Sequence, residues 1–304
     1  MFTKRTTLII PTRNRINLLK NILTQLKNLK VIFNEIIVVD SSDKNERVNL
    51  VNICSQFRVK LLFTKASSSL QRNVGLKYKK HKNTFVMFLD DDVIFYKNTF
   101  LEMNKTVKKY QQNSNIVGFC FNQVSNECPN LLDRIKISDV VKKMNLYSNS
   151  PGQITKSGWH TKILNVKKDT IADWAFTTAS IYNSKNIKNK FFNISFGAYS
   201  YLEDLDFSLN VTRKKKKIII SSKARFKHPI NIDRSSFLFG KVEVINRYKI
   251  VRKYNLSKFY FFINVFIRFF ISFIKIFIFN INSFLRAFGN FYAIILIFLL
   301  KKFK

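Results

Sequence analysis

Three consecutive carboxylates, Asp90-Asp91-Asp92, close the apolar run Phe85-Val86-Met87-Phe88-Leu89. Like charges this close repel one another, so such a triplet persists where a divalent cation or a cationic ligand neutralises it. Hard oxygen donors suit Mg²⁺ or Mn²⁺, which in turn bridge phosphate oxygens. A solvated acidic turn is the plainer reading, but with only 18 acidic residues among 304 a chance triplet at a strand end is improbable. A second acidic group, Glu203, Asp204 and Asp206, lies among Leu202, Leu205 and Leu209, which recur at helical spacing. Carboxylates in a first helical turn suit the helix dipole, and one that faces a cleft can serve as a general base. His228, just before Pro229, reads equally as a surface histidine or as a ligand.

These groups need elements to hold them. Thr6–Ile10, Ile36–Val39, Val59–Phe63 and Phe85–Leu89 are short apolar runs. Helical patterns separate them: Ile16, Leu19, Leu23 and Leu26, then Val48–Phe57, then a helix capped by Ser67–Ser69 and running to about Lys80. Strands apolar throughout, alternating with helices of this length, predict βαβ units and a mostly parallel α/β sheet covered on both faces. Ligands collect at the carboxyl ends of such strands, and here those ends, Pro11–Arg15, Asp40–Asp43, Thr64–Ser69 and Asp90–Asp92, are all polar. Residues 122–170 read as an irregular insert around a helix near Leu131–Met144. Trp174–Ile181 then reads as a strand, Tyr201–Val211 as a helix and Ile218–Ile220 as a strand.

Composition removes several classes. The seven glycines never stand at the spacing of a dinucleotide fingerprint or a P-loop, so phosphate must be held by other means. Cys54, Cys120 and Cys128 form no disulfide framework, and with three histidines there is no zinc-finger or HExxH spacing. Met1–Arg5 leads into a short apolar run that breaks at Pro11, which is not the pattern of a cleavable signal peptide; a reduced, cytosol-facing chain is expected. Net charge is +35, and residues 207–304 hold 21 basic side chains against Asp233 and Glu243 alone. Such an excess attracts nucleic acid, anionic lipid or phosphorylated substrates, or is a solvated surface written by an A+T-rich genome.

From Phe259 onward the chain changes in kind. Phe259–Phe279 is almost wholly Phe and Ile, and Phe291–Leu300 is apolar again. On a helical wheel Arg268, Lys275, Asn282 and Arg286 form a narrow stripe edged by Asn264 and Ser272. Three readings stand: a helix in the membrane interface, a spanning or re-entrant segment, or a core or dimer helix. The expected organisation is a catalytic domain over 1–235 and a basic, amphipathic and hydrophobic helical tail over 236–304, attached to the cytoplasmic face of an anionic membrane.

Five segments, Thr7–Arg15 (TLIIPTRNR), Ile36–Asp43 (IIVVDSSD), Gln71–Leu76 (QRNVGL), Phe88–Val93 (FLDDDV) and Leu202–Asp206 (LEDLD), resemble in order and spacing the family 2 glycosyltransferases of the GT-A fold. The resemblance covers about residues 5–230. It implies a nucleotide-sugar donor, a divalent metal (Mg²⁺ or Mn²⁺), and inverting transfer to a glycan or lipid-linked acceptor in cell-envelope polysaccharide biosynthesis. Residue by residue, it implies that Pro11, Thr12 and Arg13 line the nucleotide base and ribose and that Asp40 accepts from the base. Arg72 then meets the ribose or diphosphate. Asp90 and Asp92 are the DxD-type acids, Asp90 towards ribose or sugar and Asp92 on the metal, with Asp91 beside them. Asp204 is the general base, Glu203 next to it raises its pKa, and His228 completes the metal shell. Trp174 faces the acceptor, although the glycine-containing segment common after it is here Thr177-Thr178-Ala179.

Two alternatives remain open. A nucleotidyltransferase of similar fold also binds nucleotide and metal, but opens with a Gly-rich basic loop that Pro11–Arg15 is not. A nucleic-acid-binding protein would use the charge, yet no RRM, KH or zinc module is legible and Asp90–Asp92 repels phosphate, so no nucleic acid is expected as a partner.

Overall fold

A computed structural model describes residues 1–80, 82–125, 146–197, 200–229, 236–274 and 281–299, with side chains at 271–274 and 281–283 left aside. The chain divides into two compact units, Met1–Asn126 with Lys162–Pro229, and Glu127–Thr161 with Ile230–Lys304. The helix expected near Leu131–Met144 lies outside the described residues.

The first unit is a nine-stranded sheet: β1 (Thr6–Thr12), β2 (Glu35–Asp40), β3 (Lys60–Phe63), β4 (Phe85–Leu89), β5 (Ile94–Phe95), β6 (Ile116–Gln123), β7 (Thr170–Ala172), β8 (Ala179–Asn183) and β9 (Lys217–Lys227). Their order is β3-β2-β1-β4-β8-β6-β9-β5, with β7 also on β9. The helices are α1 (Ile16–Asn28), α2 (Arg47–Gln56), α3 (Ser68–Tyr78), α4 (Thr99–Tyr110) and α5 (Glu203–Thr212). β3, β2, β1 and β4 are parallel, as the alternation of strand and helix predicts. Their carboxyl ends therefore open on one side. Pro11 falls beyond the last β1–β4 pair, Ile9 with Phe88, where a missing N–H breaks no rung of that ladder.

Past β4 the sheet is mixed, because β8 runs antiparallel to both β4 and β6. The expected strand over Trp174–Ile181 shortens to Ala179–Asn183. Ser208 on α5 explains this: its Oγ donates to the Ala175 carbonyl at 3.0 Å and accepts from the Ala175 N–H at 3.1 Å, so those backbone groups are spent on the helix rather than on a ladder. Aromatic packing ties α5 to β4. Phe207 stacks on Phe192 at 4.1 Å, and Phe88, two residues before Asp90, meets both rings edge-on at 5.8 and 5.2 Å.

The second unit holds α6 (Phe237–Lys253), α7 (Lys258–Ile274) and α8 (Ile281–Leu299) with the segment 146–161. Trp159, Val244, Val251, Phe261, Val265, Ala293 and Ile297 form its core. Glycine lets α6 and α8 meet backbone to backbone: a Cβ at Gly240 would stand 2.3 Å from the Arg286 carbonyl oxygen, and one at Gly289 would stand 2.1 Å from that of Phe237. Among the described residues no helix is long and apolar enough to cross a membrane.

The described members of the stripe read from the helical wheel, Asn264, Arg268 and Arg286, are turned inward. Asn264 is fully buried and donates to the Leu146 carbonyl at 3.1 Å. Arg268 and Arg286 both reach the buried Glu243, at 3.1 and 2.6 Å. Lys275 lies outside the described residues, as do the side chains of Ser272 and Asn282. A lone carboxylate inside an apolar bundle needs counter-charge, and it draws the two arginines off the surface. Burial opposes the charge on Glu243, but Arg268, Arg286 and Arg247 outweigh it and hold the carboxyl down at about 2.

Candidate active site

The carboxyl ends of β1, β2 and β4 and the amino ends of α3 and α5 converge in the first unit. Ser67 caps α3, its Oγ accepting from the Leu70 N–H at 3.4 Å, and so delivers Gln71 and Arg72 to the sheet. The Gln71 amide donates to the carbonyls of Thr12 and Val39, both at 2.7 Å, and fixes the ends of β1 and β2 together. Arg72 is buried between two acids: Nη2 bonds Asp90 at 2.7 Å and Nη1 bonds Glu203. Burial opposes its charge; Glu203 and Asp90 outweigh that and raise its pKa further above the ordinary value.

The three aspartates part ways. Asp91 is turned inward, accepting from Thr12 Oγ1 at 2.6 Å and facing Arg15 at 3.3 Å. Burial pushes its carboxyl up to about 6 against both partners. Asp90 keeps its place through its own N–H, which donates to the Thr178 carbonyl at 3.0 Å. Asp92 pairs with Arg15 at 3.2 Å and with His228 Nε2 at 2.8 Å. Burial works against charge on both Asp92 and His228, yet the bond and attraction between them win, lowering the carboxyl and raising the imidazole. One ligand atom from each of Asp90, Asp92 and His228 lies within 4.8 Å of the others, so the group could hold a metal ion. Two carboxylates and an imidazole are donors that fit a hard or borderline divalent ion.

Glu203 and Asp204 open α5 but differ in surroundings. Leu202, a bulky buried residue, takes the left-handed conformation (φ 72°) just before them. That geometry costs about 1–3 kcal/mol and persists where the fold over-determines it. Glu203 is 7% exposed and its oxygens are taken up by Ser68 at 2.8 Å, by Ser69 and by Arg72. Asp204 is half-buried, accepts the Leu205 N–H on Oδ1 at 2.7 Å, and acts electrostatically on Arg72.

Other residues singled out from sequence fall around this centre. Pro11 is buried in β1. Asp40 is fully buried and accepts from both the N–H and the hydroxyl of Ser42, at 3.0 and 2.5 Å, which braces the loop after β2. Arg13 is exposed and lines a cavity of about 590 Å³ together with Ser42, Asp43, Arg47, Phe63 and Lys65. Trp174 is 5% exposed and packs edge-on to Phe176 at 6.4 Å. Sequence reasoning passed over Arg15 and Gln71. Their signal was adjacency: each stands within two residues of a singled-out arginine.

The family model described as Glycosyl transferase family 2 matches residues 7–190, more than half of the chain. No curated protein matches the sequence. Among solved structures, Staphylococcus aureus TarS 1-349 is 18% identical, with a TM-score of 0.50 over 86% of this chain and 71% of its own. The mannosyltransferase PcManGT from Pyrobaculum calidifontis, in complex with GDP-Man and Mn²⁺, is 13% identical (TM-score 0.52; 82% and 64%). GalNAc-T7, with UDP, GalNAc and Mn²⁺, is 12% identical (TM-score 0.57; 81% and 47%). The chain thus spans less than two thirds of the last two. At these identities the likeness is one of fold, a mixed α/β sheet flanked by helices, and that fold is the GT-A type.

Proposed function

Because the chain belongs to glycosyl transferase family 2, and is a glycosyltransferase, we propose that it moves a sugar from a nucleoside-diphosphate donor to a hydroxyl of a glycan or lipid-linked acceptor, with inversion. The observation that carries this reading is Arg72, which bonds Asp90 on the donor side and Glu203 beside Asp204 on the other. One guanidinium thereby ties an acid of the candidate metal group to the residue that precedes the proposed base.

Asp204 is the general base: it takes the acceptor proton as the hydroxyl oxygen attacks the anomeric carbon and the bond to the diphosphate breaks on the opposite face. Glu203, with every oxygen engaged, is a positioning residue rather than a proton acceptor. Arg72 and Arg15 keep positive charge beside the departing diphosphate. Asp90, Asp92 and His228 would hold Mn²⁺ or Mg²⁺, which supplies further positive charge to that diphosphate. Two similar structures were solved with Mn²⁺, which favours that ion. The cavity beside Arg13, where the Phe63 ring stands with the polar groups of Ser41, Ser42 and Asp43, suits a nucleotide's base and ribose. Acceptor-side contact is assigned to the Trp174–Thr178 segment, in which Trp174 itself is buried against Phe176.

The test is a panel of UDP- and GDP-sugars with Mn²⁺ or Mg²⁺, reading release of nucleoside diphosphate and the anomeric configuration of the product by NMR. One donor turned over with inversion is expected. A retained anomer overturns the mechanism, and no release from any donor by folded protein that binds Mn²⁺ overturns the assignment.

A further inference from the structure

In the second unit α7 and α8 are apolar on both sides: Phe261, Val265, Ala293 and Ile297 pack inward together with the polar Asn264 and Asn290, and the outward side is apolar as well. On α7 the open side is Phe259, Phe266 and Phe270, exposed by 70, 45 and 58%. Spaced seven and four residues apart, they lie within about 40° of one another on the helix. On α8 it is Phe288, Phe291, Ile295 and Phe298, all exposed and on one side, while Ala293 and Ile297 are packed within. Every exposed residue of α8 among those described is apolar or Tyr292. The two faces are continuous, because Phe262 stacks on Phe298 at 5.1 Å and Phe269 meets Phe291 at 5.8 Å across the helix pair.

An apolar surface this broad on a folded unit marks an interaction site rather than a solvated face. Charge indicates the occupant. No acidic residue follows Glu243, and Glu243 is itself spent on Arg268 and Arg286. Exposed Arg252, Lys253 and Lys258 stand at the α6–α7 turn next to Phe259, and Lys241 lies over the Tyr292 ring at 5.1 Å. An apolar face bordered by exposed cations, in a chain with no acidic residue after Glu243, matches an anionic bilayer, whose acyl boundary takes the rings while its headgroups take the cations. We infer that the outward face of α7 and α8 is a docking surface for an anionic lipid bilayer, with the helices lying in the interface plane. A spanning arrangement is disfavoured because one side of each helix is packed on the bundle through charged groups. The inference does not depend on the transfer reaction, since it is read without donor or acceptor.

The experiment is co-sedimentation of the full chain with vesicles of phosphatidylcholine alone or with 30% phosphatidylglycerol, alongside light scattering without vesicles. Binding to the anionic vesicles, weakened by salt, is expected. A Phe259→Ser/Phe266→Ser/Phe270→Ser variant should lose more than about tenfold in affinity, and Lys253→Gln and Lys258→Gln about fivefold each. Far-UV circular dichroism checks that the variants fold; the lysine variants, wholly on the surface, keep the test decisive if the triple variant does not. Equal binding to both vesicle types, or affinity unmoved by the lysine changes, overturns the inference. So does a stable dimer without vesicles that the serine variant dissociates, since the occupant is then a second copy. Donor turnover measured on the same protein separates this outcome from failure of the glycosyltransferase mechanism.

Discussion

Replacing Glu203 by Gln and Asp204 by Asn separates two neighbouring carboxylates by what each one touches. Glu203→Gln keeps the shape but removes the charge that Arg72 faces at 4% exposure. Orphaning a buried ion costs about 3–5 kcal/mol, but Arg72 keeps Asp90 at 2.7 Å. The loss is therefore nearer that of one charged hydrogen bond, about 2 kcal/mol. In urea this appears as a lower midpoint at unchanged slope. Activity should fall modestly, through KM for the donor, because Arg72 is less firmly aimed. Asp204→Asn loses one carboxylate at a helix start, where the dipole contributes about 0.3–1 kcal/mol, so stability changes little. Its kcat should drop by about 10²–10⁴-fold, as when a general base is removed. Urea titrations with steady-state kinetics on both variants decide the matter. If Glu203→Gln matches Asp204→Asn in kcat at an unchanged midpoint, the assignment of roles is wrong.

Three further expectations follow from the same contacts. Asp92→Asn and His228→Ala should each weaken Mn²⁺ binding by at least about tenfold in calorimetry, whereas Asp91→Asn, whose carboxylate is turned to Thr12 and Arg15, should weaken it less than either. Glu243 is held at about 2, below its ordinary 4.5; a depressed carboxyl stabilises fully above the unfolded value and loses that contribution as pH falls toward the folded one. The stability gap between wild type and Glu243→Gln should thus shrink by about 3 kcal/mol between pH 7 and pH 2, and a gap constant with pH would refute this. Gly289→Ala forces a Cβ to 2.1 Å from the Phe237 carbonyl oxygen, so thermal unfolding should report a loss of about 2–3 kcal/mol.

The elements that carry the candidate site residues were legible in short stretches of chain. Asp90–Asp92 after an apolar strand, the Ser67 cap ahead of Arg72, and the acids opening α5 are local patterns, and the local backbone realises each as read. Parallel strands bring their carboxyl ends to one side, so convergence of Thr12, Asp40 and Asp90 followed from strand order alone. What the local pattern does not carry is the choice of partner. Arg13 and Arg15 are two residues apart and look alike in sequence, yet one faces the cavity and the other the aspartates. Glu203 and Asp204 are adjacent acids, and only the meeting of the first turns of α5 and α3 commits Glu203 to Arg72 and the two serines. The helical wheel set Arg268 and Arg286 on one stripe, but they stand on two separate helices, and the wheel did not give the direction in which they turn. Periodicity defines the two sides of a helix, whereas which side faces inward was decided by one buried carboxylate, Glu243, supplied by a different helix.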